Sequence, residues 1–211
     1  MTQLRTQLLK LAVPLVRQHG FTRTTLARSV LALPEPHAAP LPDSAVTTLF
    51  GEDDTARRTL ISAWLEQGRT HMRSVPVEDV KGALLARLEY NVPVLVHLPE
   101  AFALVASPRV GVPPLDPRPA VQHAVSVADE ACRAAKDVSI GPSWYTKRIT
   151  LAAIYASAEL HQLTSPQTAP AFLETLLDSA SHVQSTLTEA EIFTQYVAKS
   201  WVAIAKNSGV F

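Results

Sequence analysis

One stretch restricts the fold more than any other. Residues 141–160 read GPSWYTKRITLAAIYASAEL, and from Leu151 onward the segment is apolar on nearly every side, through Leu151, Ala152, Ile154, Tyr155, Ala158 and Leu160. A helix that is hydrophobic all round cannot lie on a surface, so it has to be the centre of a larger helical body. Pro142 at the first helical position, with Ser143 beside it, marks the start. Trp144 and Tyr145 then fall in the first turn, where side chains reach the surface more often than the core. Ala152, Ala153, Ala156 and Ala158 are small enough to border either a close helix partner or a cavity.

The rest of the chain supplies elements to surround that centre. Residues 3–19 read as a helix with Leu4, Leu8, Leu11 and Leu15 on one face, stopped by Gly20. Thr22 or Thr24 caps a second helix over about 25–33, packing through Leu26, Val30 and Leu33. PEPHAAPLP, residues 34–42, is a proline-rich loop. Ser44 or Asp43 caps a short helix over 44–50; Gly51 stops it, and Asp53 or Asp54 starts a longer one through about 73. Apolar helices follow over 78–92 and 93–106, separated at Pro93, then a proline-rich loop over 107–119. The helix predicted over 119–137 is amphipathic. Val121, Ala124, Val125, Ala128, Cys132 and Ala135 line one side; Gln122, His123, Asp129, Glu130, Arg133 and Lys136 line the other. Further helices are expected over 143–163, 170–184 and 188–207. No segment alternates with the period of a strand, so the fold class is all-α, arranged as a head (1–58), a helical body (59–185) and a C-terminal amphipathic helix (186–211).

Several functions are disfavoured. Three short helices before longer ones suggest a helix-turn-helix head, whose second helix, SAVTTLF (44–50), would enter a DNA groove. That helix carries no Arg, Lys, Asn or Gln to read bases, and residues 31–54 hold five acids (Glu35, Asp43, Glu52, Asp53, Asp54) and no Lys or Arg. With a formal net charge of zero there is no whole-molecule field to draw in nucleic acid either. A ligand-responsive transcription regulator is therefore only the alternative reading. None of the seven histidines shares an H-x-x-x-H or Glu-x-x-His pairing, the one cysteine, Cys132, sits on an apolar helix face, and no phosphate-cradling glycine motif occurs. No enzyme, metal site or cofactor is expected from these residues. No run of about 20 apolar residues suggests a membrane span. The first 34 residues are basic without an acid, as in a transit peptide, but their helical leucine spacing favours a folded helix.

WYTKRITLAAIYASAEL (144–160), RLEYNVPVLVHLPEAFALVASP (87–108), LLKLAVPLVRQHGF (8–21) and SAVTTLFG (44–51), in this order, resemble the Coq-nine family of lipid-binding accessory proteins in ubiquinone (coenzyme Q) biosynthesis. The resemblance implies a TetR-like helical bundle with a degenerate helix-turn-helix head. It implies a homodimer that makes no nucleic-acid contact. It also implies an isoprenoid lipid or quinone precursor held in an apolar cavity. The expected location is the matrix face of the mitochondrial inner membrane, peripheral to the bilayer, and the expected partner is the di-iron demethoxyubiquinone hydroxylase. Carried over by position, the partner-binding patch is Asp129, Trp144, Tyr145 and Arg148. The cavity wall is expected at Leu84, Leu88, Val92, Leu95, Phe102, Leu151 and Tyr155.

The last segment, TEAEIFTQYVAKSWVAIAKNSGVF (188–211), opens with a capping box of Thr188 and Glu191. Ile192, Phe193, Tyr196, Val197, Trp201 and Ile204 form one stripe, which reads as an interfacial membrane anchor. Its three aromatic rings can bury about 150–250 Å² each; at half insertion and roughly 25 cal/mol/Å² they supply on the order of 7 kcal/mol before ordering costs. That suffices for reversible attachment. Glu189 and Glu191 offset Lys199 and Lys206, so the attachment is expected to depend weakly on salt.

Overall fold

A computed structural model describes residues 2–107, 116–138 and 140–183. Within them every regular element is helical: α1 (Thr2–His19), α2 (Arg23–Arg28), α3 (Asp43–Phe50), α4 (Asp53–Ser74), α5 (Val80–Asn91), α6 (Leu98–Ala106), α7 (Arg118–Ala134), α8 (Pro142–Thr164) and α9 (Ala169–Val183). Short 3₁₀ segments, Ser29–Ala32 and Val92–His97, extend α2 and join α5 to α6. The all-α class expected from the sequence is what forms, a bundle of the kind a TetR-like arrangement requires. The predicted helix over 188–207, and with it the expected membrane stripe, lies outside the described residues.

Local signals set most boundaries. Thr22 caps α2 by accepting the Thr25 amide at 3.2 Å, and Asp79 caps α5 by accepting the Gly82 amide at 2.7 Å. Gly51, at φ 106, ends α3 in a conformation open to glycine. Asp43 is not the expected cap: Pro42 holds that position, and Asp43 accepts from Arg23 Nη2 at 2.6 Å instead. The same guanidinium reaches Thr47 Oγ1 at 2.7 Å, so a basic side chain flanking the would-be reading helix is spent on tying α2 to α3.

Two apolar clusters form. In the first, α1, α2, α3 and α6 pack around Leu60, Ile61 and Trp64 of α4; in the second, α5, α7, α8 and α9 pack around Tyr155, with Met72 from the far end of α4. α4 thus runs through both clusters. α1 turns a different face inward from the one expected. Leu8, Ala12, Val13 and Val16 are buried while Leu4 is 47% exposed and Leu11 and Leu15 are half-buried, a rotation of roughly a quarter turn.

α7 departs further. His123 and Glu130, expected on the wet side, are buried, while Val121 and Val125, expected in the core, are exposed. Glu130 is drawn in by Arg73 Nη2 at 2.7 Å and His123 by Glu159 Oε2 at 3.3 Å, both from other helices. α8 matches its apolar pattern: from Leu151 to Leu160 it is buried except at Ala153, between α7 and α9.

Candidate functional site

The corner where α7 gives way to α8 combines a buried charge cluster with exposed apolar side chains. α7 ends in a Schellman turn: the Asp137 amide donates to the Cys132 carbonyl at 2.9 Å and the Lys136 amide to the Arg133 carbonyl at 3.0 Å. Lys136 occupies the left-handed position of that turn, at φ 53. The turn sends Asp137 back towards α8. Gly141 at φ 65 then starts α8, and Ser143 Oγ donates to the Ile140 carbonyl at 2.8 Å.

Arg148, nearly two helical turns in, is the hub. Its Nε donates to Asp129 Oδ1 at 2.9 Å, its Nη1 to Asp137 Oδ2 at 3.4 Å, and its guanidinium lies 4.0 Å over the Trp144 ring. Lys147 reaches Asp137 Oδ1 at 2.6 Å and Arg133 reaches Asp129 Oδ2 at 2.6 Å, so both carboxylates face two cations. Burial works against the Arg148 charge, yet the Asp129 hydrogen bond and the neighbouring carboxylates outweigh it and raise its pKa further. Arg148 is therefore a buried anchor, where the sequence suggested a presented one. Charged groups so paired hold the start of α8 rigid and fix the plane of Trp144.

On that base stand Tyr145, 64% exposed and edge-on to Trp144 at 4.7 Å, with Ile149 at 65%, Ile140 at 82% and Val138 at 90%. Exposed apolar and aromatic side chains, two of them one turn apart on α8 and two in the connection before it, are the composition of an interaction surface. The four residues expected as a patch thus meet as one unit: Asp129 and Arg148 beneath, Trp144 between, Tyr145 on top. Asp137 was missed, because nothing local in the sequence ties it to Arg148. Beside this corner a surface cleft of about 340 Å³ is lined by Met72, Arg73, Val75, Pro76, Val77 and Glu130, with Arg133 and Ala134.

The seven expected wall residues do not share one space. Leu84, Leu88, Leu151 and Tyr155 belong to the second cluster, Leu95 and Phe102 to the first, and Val92 is 55% exposed. The cleft above includes none of them.

Between the two clusters lies a feature the sequence reading missed, a buried polar group contributed by α5, α7 and α8. Arg87 Nη1 donates to Asn91 Oδ1, and Asn91 Nδ2 donates to Glu159 Oε1 at 3.0 Å and to Gln162 Oε1 at 3.1 Å. Tyr155 donates its hydroxyl to Glu159, and Gln162 Nε2 donates to the Leu88 carbonyl at 2.8 Å. Arg87 Nη2 stands 3.8 Å from Glu159 Oε1, and its guanidinium lies over Trp64 at 4.9 Å. Burial by itself would raise the Glu159 pKa; the charges and contacts of His123 and Arg87 overcome it and hold the carboxyl down to about 2. The Tyr155 hydroxyl is pushed well up, chiefly by burial.

Cys132 is buried and its thiol pKa is raised, first by burial, which suits a packing residue rather than a nucleophile. Among the described residues no group of His, Cys, Asp and Glu is placed to hold a metal ion, and no helix is long and apolar enough to cross a membrane.

A model of the COQ9 family matches residues 118–184, which takes in α7, α8 and α9 and therefore the whole corner. The chain is 29% identical over 130 residues to the mitochondrial ubiquinone biosynthesis protein COQ9 of Drosophila melanogaster, covering 60% of this chain and 38% of that protein. It is 27% identical over 175 residues to the protein of the same name from Bos taurus and likewise from Homo sapiens, covering 75% of this chain and 50% of each of them. The chain thus spans about half the length or less of these curated relatives.

Proposed function

We propose that this chain is a member of the COQ9 family, whose model matches residues 118–184, and that it serves ubiquinone biosynthesis as a non-enzymatic lipid-binding protein. It takes an isoprenoid quinone precursor from a membrane surface and presents it to demethoxyubiquinone hydroxylase, which performs the chemistry. Its place is the matrix face of the mitochondrial inner membrane, as a homodimer held peripherally by the segment 186–211. Ile192, Phe193, Tyr196, Val197, Trp201 and Ile204 supply the apolar stripe for that attachment.

The observation that supports this reading best is the α7–α8 corner. Tyr145, Ile149, Ile140 and Val138 are exposed to water, within the segment that the family model matches. Burying such a surface against a second protein is favourable in proportion to its area, and a Trp–Tyr pair braced by an arginine concentrates that gain at its centre. The buried Asp129–Arg148–Asp137 cluster keeps the surface preorganised, which lowers the ordering cost of docking.

Two measurements test the proposal. Mass spectrometry of organic extracts from the purified protein is expected to find an isoprenoid lipid. The hydroxylase is expected to co-purify with the chain and to be lost from the Tyr145→Ala and Ile149→Ser variants, which keep their fold. A lipid-free extract would remove the carrier role, and undiminished co-purification of both variants would remove the docking surface.

A further inference from the structure

The chain that follows α9 starts from the same end of the bundle as the exposed corner. α8 and α9 are joined by a tight turn over 165–168 and lie antiparallel: the His161 ring stacks on Phe172 at 4.5 Å, and its Nε2 lies 2.8 Å from Thr168 Oγ1. Counting outward from that turn brings Val183 level with Thr150, next to Ile149. The sequence starts its next helix at the capping box of Thr188 and Glu191. Residues 184–187 in between reach up to about 17 Å, more than the roughly 10–12 Å width of α8. The apolar stripe over 192–204 is thus tethered within reach of the other side of α8.

On that side the seam between α7 and α8 is apolar and open to water. Asp129 of α7 meets Arg148 of α8, and Val125 and Val121 lie one and two turns before Asp129 on its side of α7. Val121 is 58% exposed, Val125 38% and, across the seam on α8, Ile149 65%. Measured along the helices from the Asp129–Arg148 contact, the three spread over about 10 Å, which the roughly 18 Å of stripe over 192–204 covers. An apolar helix face laid along a groove between two helices is a recurring mode of recognition. The charges suit one direction. The segment opens with Glu189 and Glu191 and carries Lys199 and Lys206 later. At the corner, where it would begin, Arg133, Lys136, Lys147 and Arg148 stand against Asp129 and Asp137, an excess of cations; Arg73 and Glu130 beyond them pair with each other. At the far end Asp116 and Arg118 balance, so no excess of cations opposes the lysines there.

We infer that in water the stripe over 192–204 lies in this seam on its own chain, and that a bilayer, competing for the same apolar residues, draws it out and uncovers Ile149. Membrane attachment then opens the docking surface, and detachment closes it. This rests on the docking and attachment readings above and adds that the one controls the other. The tether selects the occupant. A segment joined by so short a connection is held at a local concentration on the order of 1 mM, far above that of a free second copy at micromolar dilution. With an intrinsic contact of about 0.1 mM, roughly a tenth of the molecules stay open, so a partner is captured about tenfold more weakly off the membrane than on it.

Nitroxide labels on Gln122→Cys and Lys199→Cys of the full chain, read by double electron–electron resonance, test the contact. Gln122 is exposed beside Val121, and Cys132 is buried away from the label. In buffer a separation under about 25 Å, two helix widths, is expected. It is expected to lengthen when zwitterionic phosphatidylcholine vesicles are added, an arm that needs no further variant. It is also expected to lengthen in buffer in Val121→Ser, Val125→Ser, two exposed positions outside the docking corner. A long separation in buffer, or a short one that vesicles leave unchanged, overturns the inference. A short separation that disappears when labelled chain is diluted into unlabelled chain assigns the seam to a second copy and overturns it too. All three results leave the docking and attachment readings standing. Capture of the hydroxylase reads the control itself: the serine variant is expected to capture about tenfold more than wild type in buffer and the same amount on vesicles. Equal capture in buffer overturns the control. No capture by either protein in either condition, with the short separation present, removes the docking reading and the control together.

Discussion

Replacing Glu159 with glutamine removes one charge and almost no volume, which makes it a sharp probe of the buried polar group. The glutamine amide can still offer an oxygen to Asn91 Nδ2 and to the Tyr155 hydroxyl, so those two contacts are not the issue. What disappears is the negative charge facing Arg87 Nη2 at 3.8 Å and His123 Nε2 at 3.3 Å. Arg87 is fully buried, with two donor nitrogens already unpaired, and it would be left without a counter-charge. Removing one partner of a buried pair costs about 3–5 kcal/mol. For a chain of this size that corresponds to a fall of roughly 6–20 °C in Tm, which differential scanning calorimetry at pH 7 reads directly. The double variant Arg87→Met, Glu159→Gln is expected to recover part of the loss, because it no longer buries a lone cation. The pH dependence supplies an independent reading with a definite sign. The Glu159 pKa in the folded protein is about 2, below its ordinary 4.5, so the stabilisation is complete above pH 4.5 and fades as pH falls towards 2. The difference between wild type and Glu159→Gln should therefore narrow across that interval. A loss under about 1 kcal/mol at pH 7, with parallel pH profiles, would show that Glu159 does not compensate Arg87 and would refute the reasoning.

Arg148→Met removes the hub of the α7–α8 corner, but Asp129 keeps Arg133 and Asp137 keeps Lys147; a loss of about 1.5–3 kcal/mol in urea unfolding is expected, with altered Trp144 fluorescence. Tyr145→Ala, at a largely exposed side chain, is expected to change stability by less than about 0.5 kcal/mol in the same assay. Lys136→Gly relieves the left-handed backbone of the Schellman turn and is expected to stabilise by about 0.5–1 kcal/mol, read as a rise in urea midpoint. Gly68→Ala would place a Cβ 3.1 Å from Arg87 Nε, Arg87 Cζ and Tyr90 Cδ1. Arg87 is clamped by Asn91 and Trp64 and cannot yield, so overpacking of about 1–3 kcal/mol should outweigh the helix-propensity gain of about 1 kcal/mol and lower Tm.

How far the sequence speaks depends on whether the deciding contact is local. The all-round apolar run of α8, the Thr22 cap, the stop at Gly51 and the start of α8 near Pro142 rest on neighbours a few residues away, and all could be read in advance. The Trp144–Tyr145 pair was legible for the same reason, because the first turn of a central helix has to emerge somewhere. The burial of Arg148 was not, since Asp129 and Asp137 come from the preceding helix and its turn. Nor was that of His123 and Glu130, whose partners Glu159 and Arg73 lie on other elements.

The scattered wall residues follow from one break in register. On one continuous α-helix Leu84, Leu88, Val92 and Leu95 would fall at i, i+4, i+8 and i+11 along one face. The chain instead tightens into a 3₁₀ turn over Val92–His97, with Pro93 near its start. Its three residues per turn swing each later side chain further round than an α-helix does. Val92, the first residue of that segment, is 55% exposed while Leu95 joins the first cluster, and the face that Leu84 and Leu88 share ends at Asn91. Asn91 also belongs to the buried polar group, with Arg87 one turn earlier on the same helix. The break that divides the expected wall therefore falls beside a buried polar group, and neither depends on a contact near in sequence: Asn91 pairs with Glu159 and Gln162 of α8.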